Sequence, residues 1–204
     1  INPSKEFFHI NTGWDLKVKE FDLKNGNIRI EDKNLSNKPN KLPFDPKKFA
    51  VLDLNLQFKN ANYDSTINLD LKRLSLSINN KLNLKEFKGK LNLSDKGFNA
   101  NDLELLFNNS VLKANLSAEC ENLMDFKNFA NNVYVNGKIS ECKLVKNDFV
   151  LFVPKAKPYL VDADLKGDIR GTFGNIKTEN LKIKVGSNTI LEGSGSIKGL
   201  PTIN

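Results

Sequence analysis

Leu52-Asp-Leu54-Asn-Leu56-Gln-Phe58 is the stretch that decides the fold, because every second residue in it is apolar. Successive side chains of an extended strand point to opposite faces, so this stretch has one apolar and one polar face. The pattern therefore predicts an all-β protein built from half-buried strands. The same alternation recurs in nine further segments: 14–18, 67–71, 74–78, 91–93, 103–107, 112–118, 133–139, 161–165 and 181–185.

Residues that tolerate a positive φ separate many of these segments, as short hairpins require. They are Asn25-Gly26, Asn79-Asn80, Lys96-Gly97, Asn108-Asn109 and Gly186-Ser-Asn188. We therefore expect an elongated antiparallel sheet of about 12 to 16 strands.

Two segments depart from the strand pattern. Three prolines in residues 39–46 exclude regular pairing and predict a loop between sub-sections 1–38 and 47–204 of a single fragment. Leu123, Phe126 and Phe129 recur at helical spacing, which predicts one short helix near 122–131, as a lid, a plug or a simple crossover.

An internal repeat is evident when the sequence is shifted by 78 residues, which brings segment 87–118 onto segment 165–197. Lys88-Gly89 then meets Lys166-Gly167, and Leu103 meets Leu181. After one inserted residue the turns and the last strands also match. The repeated unit is strand, turn, strand, turn, strand.

Charge and composition exclude several classes of protein. The longest apolar runs have about five residues, whereas a membrane-spanning helix needs about 20. The net charge of +7 does not indicate a nucleic-acid partner, because only Arg29, Arg73 and Arg170 are arginines and acids interleave with the scattered lysines. We expect no nucleic acid to bind.

Catalytic and metal sites lack their parts in this sequence. His9 is the single histidine, so neither a zinc site nor a histidine-assisted nucleophile is indicated. Asp162 and Asp164 lie in a calcium-loop-like stretch, but Lys166 stands where an oxygen ligand belongs. We expect no enzymatic activity, no cofactor and no metal. Cys120 and Cys142 have similar flanking residues and either form a disulfide or stay reduced.

Two stretches resemble a known family. Phe21-Asp-Leu-Lys-Asn-Gly26-Asn-Ile-Arg-Ile30 is similar to a recurrent strand, Asn-Gly turn, strand element of the AsmA-like proteins, and of TamB-type translocation and assembly module proteins in particular. Residues 191–201 resemble the ending of that family's repeat, and the Asn- and Lys-rich composition is similar to that of Bacteroidetes members.

The resemblance implies a long β-sheet that curves over like a taco and leaves an open apolar groove for lipid tails. It also implies a periplasmic location, an inner-membrane anchor outside this chain, transfer of phospholipid or another acyl lipid, and outer-membrane biogenesis with an assembly protein reached through other regions. This chain would then be one section of a longer β-repeat protein of the cell envelope.

The alternation indicates the side chains that would line such a groove. One short helix is too small to cover the apolar face of so many strands, so the sheet must close on itself or hold something apolar. Closure would give the alternative, a β-sandwich interaction module of an envelope protein that binds a protein or a glycan. The candidate lining residues are Leu54, Leu56, Phe58, Leu69, Leu71, Leu103, Leu105, Phe107, Leu181, Ile183 and Val185.

Overall fold

The computed structural model describes residues 15–31, 48–64, 66–79, 81–150, 157–158, 160–186 and 188–199 of the chain. The predicted Pro-rich loop at 39–46 and His9 lie outside these residues. The described residues form ten strands: β1 (Leu16–Glu31), β2 (Lys48–Tyr63), β3 (Ile67–Ile78), β4 (Leu82–Ser94), β5 (Gly97–Phe107), β6 (Ser110–Glu119), β7 (Tyr134–Leu144), β8 (Ala163–Thr172), β9 (Asn175–Val185) and β10 (Thr189–Lys198).

The ten strands form one antiparallel sheet in which spatial order equals chain order, from β1 to β10. The sheet is open, and β1 and β10 are its two edges in the part of the chain that the structure describes. The predicted all-β, elongated and repetitive fold is therefore confirmed. The closed β-sandwich is wrong for these residues, because no connection carries a strand across to a second sheet.

The strands are fewer and longer than the sequence predicted. Leu71 and Leu74 belong to one strand, β3, where alternation suggested two segments. Asn25-Gly26 is a predicted turn but lies inside the 16-residue strand β1. Asn25 has the positive φ that the sequence predicted, 54°, yet Ile28 continues to pair with the same neighbour, opposite Val51.

Bulges interrupt the register of every pair of neighbouring strands near the middle of the strands. Each bulge bends its strand, so a line of bulges curves the whole sheet about one axis. At four bulged residues with φ near 50°, a side chain of the adjacent strand accepts a hydrogen bond from the backbone N–H. The donor–acceptor distances are 3.2 Å from Asn25 to Asn55 Oδ1, 3.3 Å from Asp53 to Asn27 Oδ1, 2.8 Å from Asp102 to Asn115 Oδ1, and 3.3 Å from Asn180 to Ser194 Oγ.

The two copies of the sequence repeat carry the same bulge. Gly89 and Gly167 have φ values of 152° and 141°, conformations that side chains rarely adopt. A Cβ on Gly89 would lie 3.2 Å from the Cα of Leu103, and one on Gly167 would lie 2.9 Å from the Cα of Leu181. The close approach therefore recurs at the same spacing as the sequence repeat.

The predicted short helix is present. A 3₁₀ helix, Leu123–Asn128, leads into one α-helical turn, α1 (Phe129–Asn132), and together they form the helical crossover (residues 123–132) from β6 to β7. The Asn122 side chain accepts a hydrogen bond from the Met124 N–H at 3.0 Å, so the start is capped. A second short helix, α2 (Lys146–Val150), follows β7 and was not predicted.

Candidate functional site

One face of the sheet is apolar from edge to edge. Its central row contains one residue from each strand. Each of these residues pairs directly with the row residue of the neighbouring strand. Alternation puts this row and the other inward positions of each strand on the same side of the sheet. The central row is Leu23, Leu56, Leu74, Phe87, Leu105, Leu112, Cys142, Leu165, Ile183 and Leu191.

A second row, the end row, runs beside the end of the sheet that holds the helical crossover. In β1, β2, β3, β5, β7 and β9 the two row positions are seven residues apart, and the extra residue of a bulge keeps both on the same face. In the other four strands they are six residues apart, so alternation alone is sufficient. The apolar surface therefore extends along the strands as well as across them. The end row is Leu16, Tyr63, Ile67, Leu93, Phe98, Ala118, Val135, Gly171, Ile176 and Ile197.

The register places all eleven predicted lining residues on this apolar face. Leu56, Leu105 and Ile183 are members of the central row itself. The other eight pair with residues of the same face, as Phe58 does with Leu71. Their contact with a ligand stays a prediction.

Several residues of this face were absent from the predicted lining. Leu74 lies in the alternating segment 74–78, so the available signal was sufficient to include it. Phe87 and Leu112 lie in the sequence repeat, which also pointed to them. Cys142 was predicted only as a disulfide partner. It lies three residues after Ile139, so simple alternation would put it on the opposite face, and the register shift between Ile139 and Cys142 is what brings it to the apolar face.

The two cysteines are free thiols, so the disulfide alternative is wrong. Cys142 lies opposite Leu112, whereas Cys120 follows the opposite end of the same strand, β6. The eight residues of extended chain from Leu112 to Cys120 span about 26 Å, which is far longer than the distance that a disulfide can bridge. Burial raises the pKa of the Cys142 thiol, and the negative charge of Asp164 adds to this effect. Burial also raises the pKa of the Cys120 thiol, with a further contribution from the charge of Asp125.

Burial on the apolar face decreases from the centre of the sheet towards its edges. Leu71 and Leu103 are only 5% and 7% exposed, whereas Leu191 and Ile197 of β10 are 56% and 54% exposed. Within the described residues each strand packs mainly against its chain neighbours, α1 touches β8, and α2 contacts the start of β6 through the hydrogen bond from the Ser110 hydroxyl to Asp148. No second layer of described residues therefore covers the face.

Aromatic rings pack against each other at two places. Phe21 and Phe58 stack between β1 and β2, with ring centroids 5.1 Å apart and an interplanar angle of 16°. At the crossover, Phe129 lies 6.5 Å from Phe173, which follows β8. The Gly174 N–H donates to the Ala130 carbonyl at 2.7 Å, so the crossover is fixed to the β8–β9 turn.

The opposite face carries charged side chains, several of which form ion pairs along one strand or between neighbouring strands. Lys88 lies 3.0 Å from Glu86 and 3.1 Å from Glu104, and these hydrogen bonds raise the pKa of its ammonium group. Lys113 lies 3.1 Å from Glu141.

Metal-ligating side chains are dispersed in the described part of the chain. No group of three or more His, Cys, Asp or Glu residues in that part could hold a metal ion. Asp164 is exposed on β8 between two half-buried apolar residues, as the strand interpretation of this stretch predicted. A shallow cavity of about 230 Å³ opens between β1, β2 and β3, lined by Asp22, Leu23, Lys24, Asn55, Leu56, Gln57 and Arg73.

Fold and site together define a single-layer, open β-sheet protein with one apolar and one charged face. No protein-family model, curated protein or solved structure matches this chain. Among the described residues, none of the helices has the length and apolar character needed to cross a membrane.

Proposed function

We propose that this chain is a non-enzymatic section of a cell-envelope protein that holds lipid acyl chains against its apolar face. One observation supports the proposal above the others. Apolar rows run unbroken across all ten strands, and no second layer of described residues lies over them. An exposed apolar surface of this extent is unfavourable in water and is typical of a binding surface.

The dimensions of the face suit acyl chains. Ten strands spaced by about 4.8 Å give each apolar row a length of about 43 Å. One leaflet of a bilayer has a hydrocarbon thickness of about 15 Å, half that of the whole core. Each CH₂ group removed from water contributes about 0.8 kcal/mol, so a single acyl chain along a row would gain substantial binding energy without any specific polar partner.

The wider role follows from the resemblance and the repetitive sheet. A TamB-like, inner-membrane-anchored protein in the periplasm would use stacked sections of this kind to move phospholipid or another acyl lipid towards the outer membrane. Contact with an outer-membrane assembly protein would come from regions outside this chain. The open, repetitive antiparallel sheet is the structural feature that supports this role.

Native mass spectrometry of the chain purified without detergent, with lipid extraction of the same sample, tests the proposal. We expect co-purifying phospholipid, and its loss when Leu56, Phe107 and Ile183 are changed together to Asp. The matched control changes three exposed polar-face residues, Asn99, Asn136 and Asn175, to Asp. This control adds the same charge to the other face and should retain the lipid.

Cys142 provides a second readout that requires no variant of the apolar face. It lies in the central row, so bound acyl chains should slow its alkylation by a maleimide, while Cys120 at the strand end serves as an internal reference. Because the pKa of each thiol is raised, the labelling should be run at mildly alkaline pH. A folded chain that takes up no lipid from vesicles and shows unchanged Cys142 labelling would contradict the proposal.

A further inference from the structure

The charged face contains one row of side chains that carries no charge across six consecutive strands, β2 to β7. Each member is the sequence neighbour of a residue in the end row, so alternation puts it on the opposite face. Every member also pairs directly with the next one across the strand register. This amide row consists of Asn62, Asn68, Asn92, Asn99, Ser117 and Asn136.

Charged side chains border the amide row. The adjacent row on the same face contains Asp70 and Lys90, which lie opposite each other, and Lys138 of β7. Each of these three is two residues from a member of the amide row, which is about 7 Å along a strand. Beyond β7 the amide row continues into Arg170, whose charge is paired with Glu179. A molecule that lies along the amide row therefore meets uncharged donors and acceptors.

The fold does not require amides at these positions. Asparagine is one of the residues that strands disfavour. The sequence repeat brings Asn92 and Asn99 onto Arg170 and Lys177, and the second pair is opposed across β8 and β9 as the first is across β4 and β5. The sheet thus accepts long charged side chains at the same two positions, so folding alone does not explain the amides.

The amide row has a hydrogen-bonded half and an open half. Asn92 Nδ2 donates to Asn68 Oδ1, and Asn68 Nδ2 donates to Thr66 Oγ1 at 3.0 Å. Three neighbouring members on β5, β6 and β7 have side chains that make no hydrogen bond with other described residues, and two of the three are exposed. The members of this open half are Asn99, Ser117 and Asn136.

Tyr134 places an aromatic ring beside the open half. It precedes Asn136 by two residues in β7, so it lies on the same face, and it is 46% exposed. Asparagine, serine and tyrosine are also the side chains that antibody paratopes favour. Tyrosine supplies rigid contact area there, and the small polar residues supply adaptable hydrogen bonds. The open half and Tyr134 together therefore have the composition of a binding surface.

We propose that Asn99, Ser117, Asn136 and Tyr134 bind a glycan that contains N-acetylated amino sugars. A side-chain amide has donors and an acceptor in a fixed geometry, so it pairs through two hydrogen bonds with an acetamido group, which is itself an amide. The Ser117 hydroxyl bonds to sugar hydroxyls, and the C–H face of a sugar ring packs on the Tyr134 ring. The glycan runs across the strands, along a row about 24 Å long.

This site lies on the face opposite to the proposed lipid surface, and it does not depend on lipid binding. The two proposals can therefore fail separately. The variant with Asn99, Asn136 and Asn175 changed to Asp, which should retain lipid, should lose the glycan.

Isothermal titration calorimetry with chitotetraose, an oligomer of N-acetylglucosamine, tests the proposal. We expect saturable binding, and Asn99→Asp with Asn136→Asp should weaken it at least about tenfold because two amide pairs are lost. The matched control, Asn147→Asp with Asn175→Asp, adds the same charge at exposed positions outside the amide row and should bind as the starting chain does. All four positions are exposed, so the fold should stay intact, as circular dichroism will show.

Two further comparisons test the aromatic ring and the acetamido group. Tyr134→Ala should weaken chitotetraose binding about tenfold, whereas Tyr134→Phe keeps the ring and should bind nearly normally. Cellotetraose, which has hydroxyl groups in place of the acetamido groups, should bind more weakly than chitotetraose.

Several results would overturn the proposal. They are no binding at millimolar chitotetraose, equal affinity for cellotetraose, and equal losses in the amide-row variant and its matched control. Binding of heparin or RNA in preference to chitotetraose, abolished by Lys177→Glu and unaffected by Tyr134→Ala, would also overturn it and would indicate a polyanion site at the cationic end of the row.

Discussion

Replacing Gly167 by Ala tests whether the close backbone contact at its bulge requires glycine. Gly167 has a φ of 141°, and an added Cβ would lie 2.9 Å from the Leu181 Cα and 3.0 Å from the Asn180 carbonyl oxygen. These neighbours are backbone atoms of the adjacent strand, so they cannot rotate away as a flexible side chain would. The register at the bulge has to shift or the strand has to separate locally.

The expected cost combines two effects. A residue held in a sparsely populated backbone conformation costs about 1–3 kcal/mol, and overpacking costs about 1–3 kcal/mol more. The reduced freedom of Ala in the unfolded chain offsets about 0.4–1 kcal/mol. We therefore expect the variant to lose about 3 kcal/mol of unfolding free energy, or about 6–12 °C in Tm for a chain of this size.

Urea and thermal denaturation followed by circular dichroism measure this loss. Gly193→Ala is the matched control, because no atom lies within 4 Å of its Cβ position, and its stability should stay within about 0.5 kcal/mol of the starting chain or rise slightly. Gly89→Ala, at the equivalent position of the repeat, should behave like Gly167→Ala. Equal stability of the Gly167 and Gly193 variants would refute the argument that close backbone contact at the bulge requires glycine.

Three further predictions follow from single contacts. Asn115→Ala removes the acceptor for the Asp102 N–H at 2.8 Å and should cost about 1 kcal/mol in urea denaturation, whereas Asn99→Ala, which lacks this contact, should cost less. Asp148 is 4% exposed and accepts hydrogen bonds from the Asn109 N–H at 3.0 Å and the Ser110 hydroxyl at 2.7 Å. Asp148→Ala should lower the free energy of unfolding by about 2–3 kcal/mol, and a variant as stable as the starting chain would contradict this role of Asp148. Hydrogen bonds lower the pKa of Asp125; the largest contribution comes from the Asn122 backbone, followed by the Asn132 side chain and the Glu121 backbone. The stabilising effect of the Asp125 carboxylate is therefore present above its unfolded-state pKa and is lost as pH falls through its folded-state pKa. Protection of the amides in residues 123–132, measured by hydrogen exchange relative to the intrinsic rate at each pH, should fall over that acidic range, and Asp125→Asn should abolish this pH dependence of protection.

Alternation was sufficient to predict the faces of the strand segments on each side of a bulge, but it predicted neither the bulges nor the ends of the strands. Leu56 and Ile183 are on the apolar face because period two allows no other arrangement once the strands exist. The turn at Asn108 was also predictable, since Asn with a positive φ of 49° lies between two apolar segments there. The same residue type at Asn25 gave the wrong prediction, because a residue with positive φ serves equally well in a hairpin turn and in a bulge.

The pairing that follows such a residue distinguishes a turn from a bulge, and pairing is not local. After Asn25, Ile28 continues opposite Val51 of the same neighbour, β2, so the chain bends without reversing. The bond from the Asn25 N–H to Asn55 crosses 30 residues of sequence, which no short window of sequence can show. Whether Cys120 and Cys142 form a disulfide could not be decided from the sequence for the same reason. Their similar neighbouring residues do not show how far along the β6–β7 pair each cysteine lies.

Sequence alternation alone is equally compatible with an open groove and with a closed sandwich, since both bury one face of each strand. The topology separates the two cases. A sandwich needs connections that carry strands from one sheet to the other, as Greek keys do, whereas here each described strand pairs with its chain neighbours in unbroken order. Such a meander can enclose its own apolar face only by joining β1 to β10, and the described strands do not join there. The described strands therefore leave the apolar face without a second layer, and an exposed apolar surface is unfavourable in water. Covering that surface is the role that we propose for a lipid acyl chain.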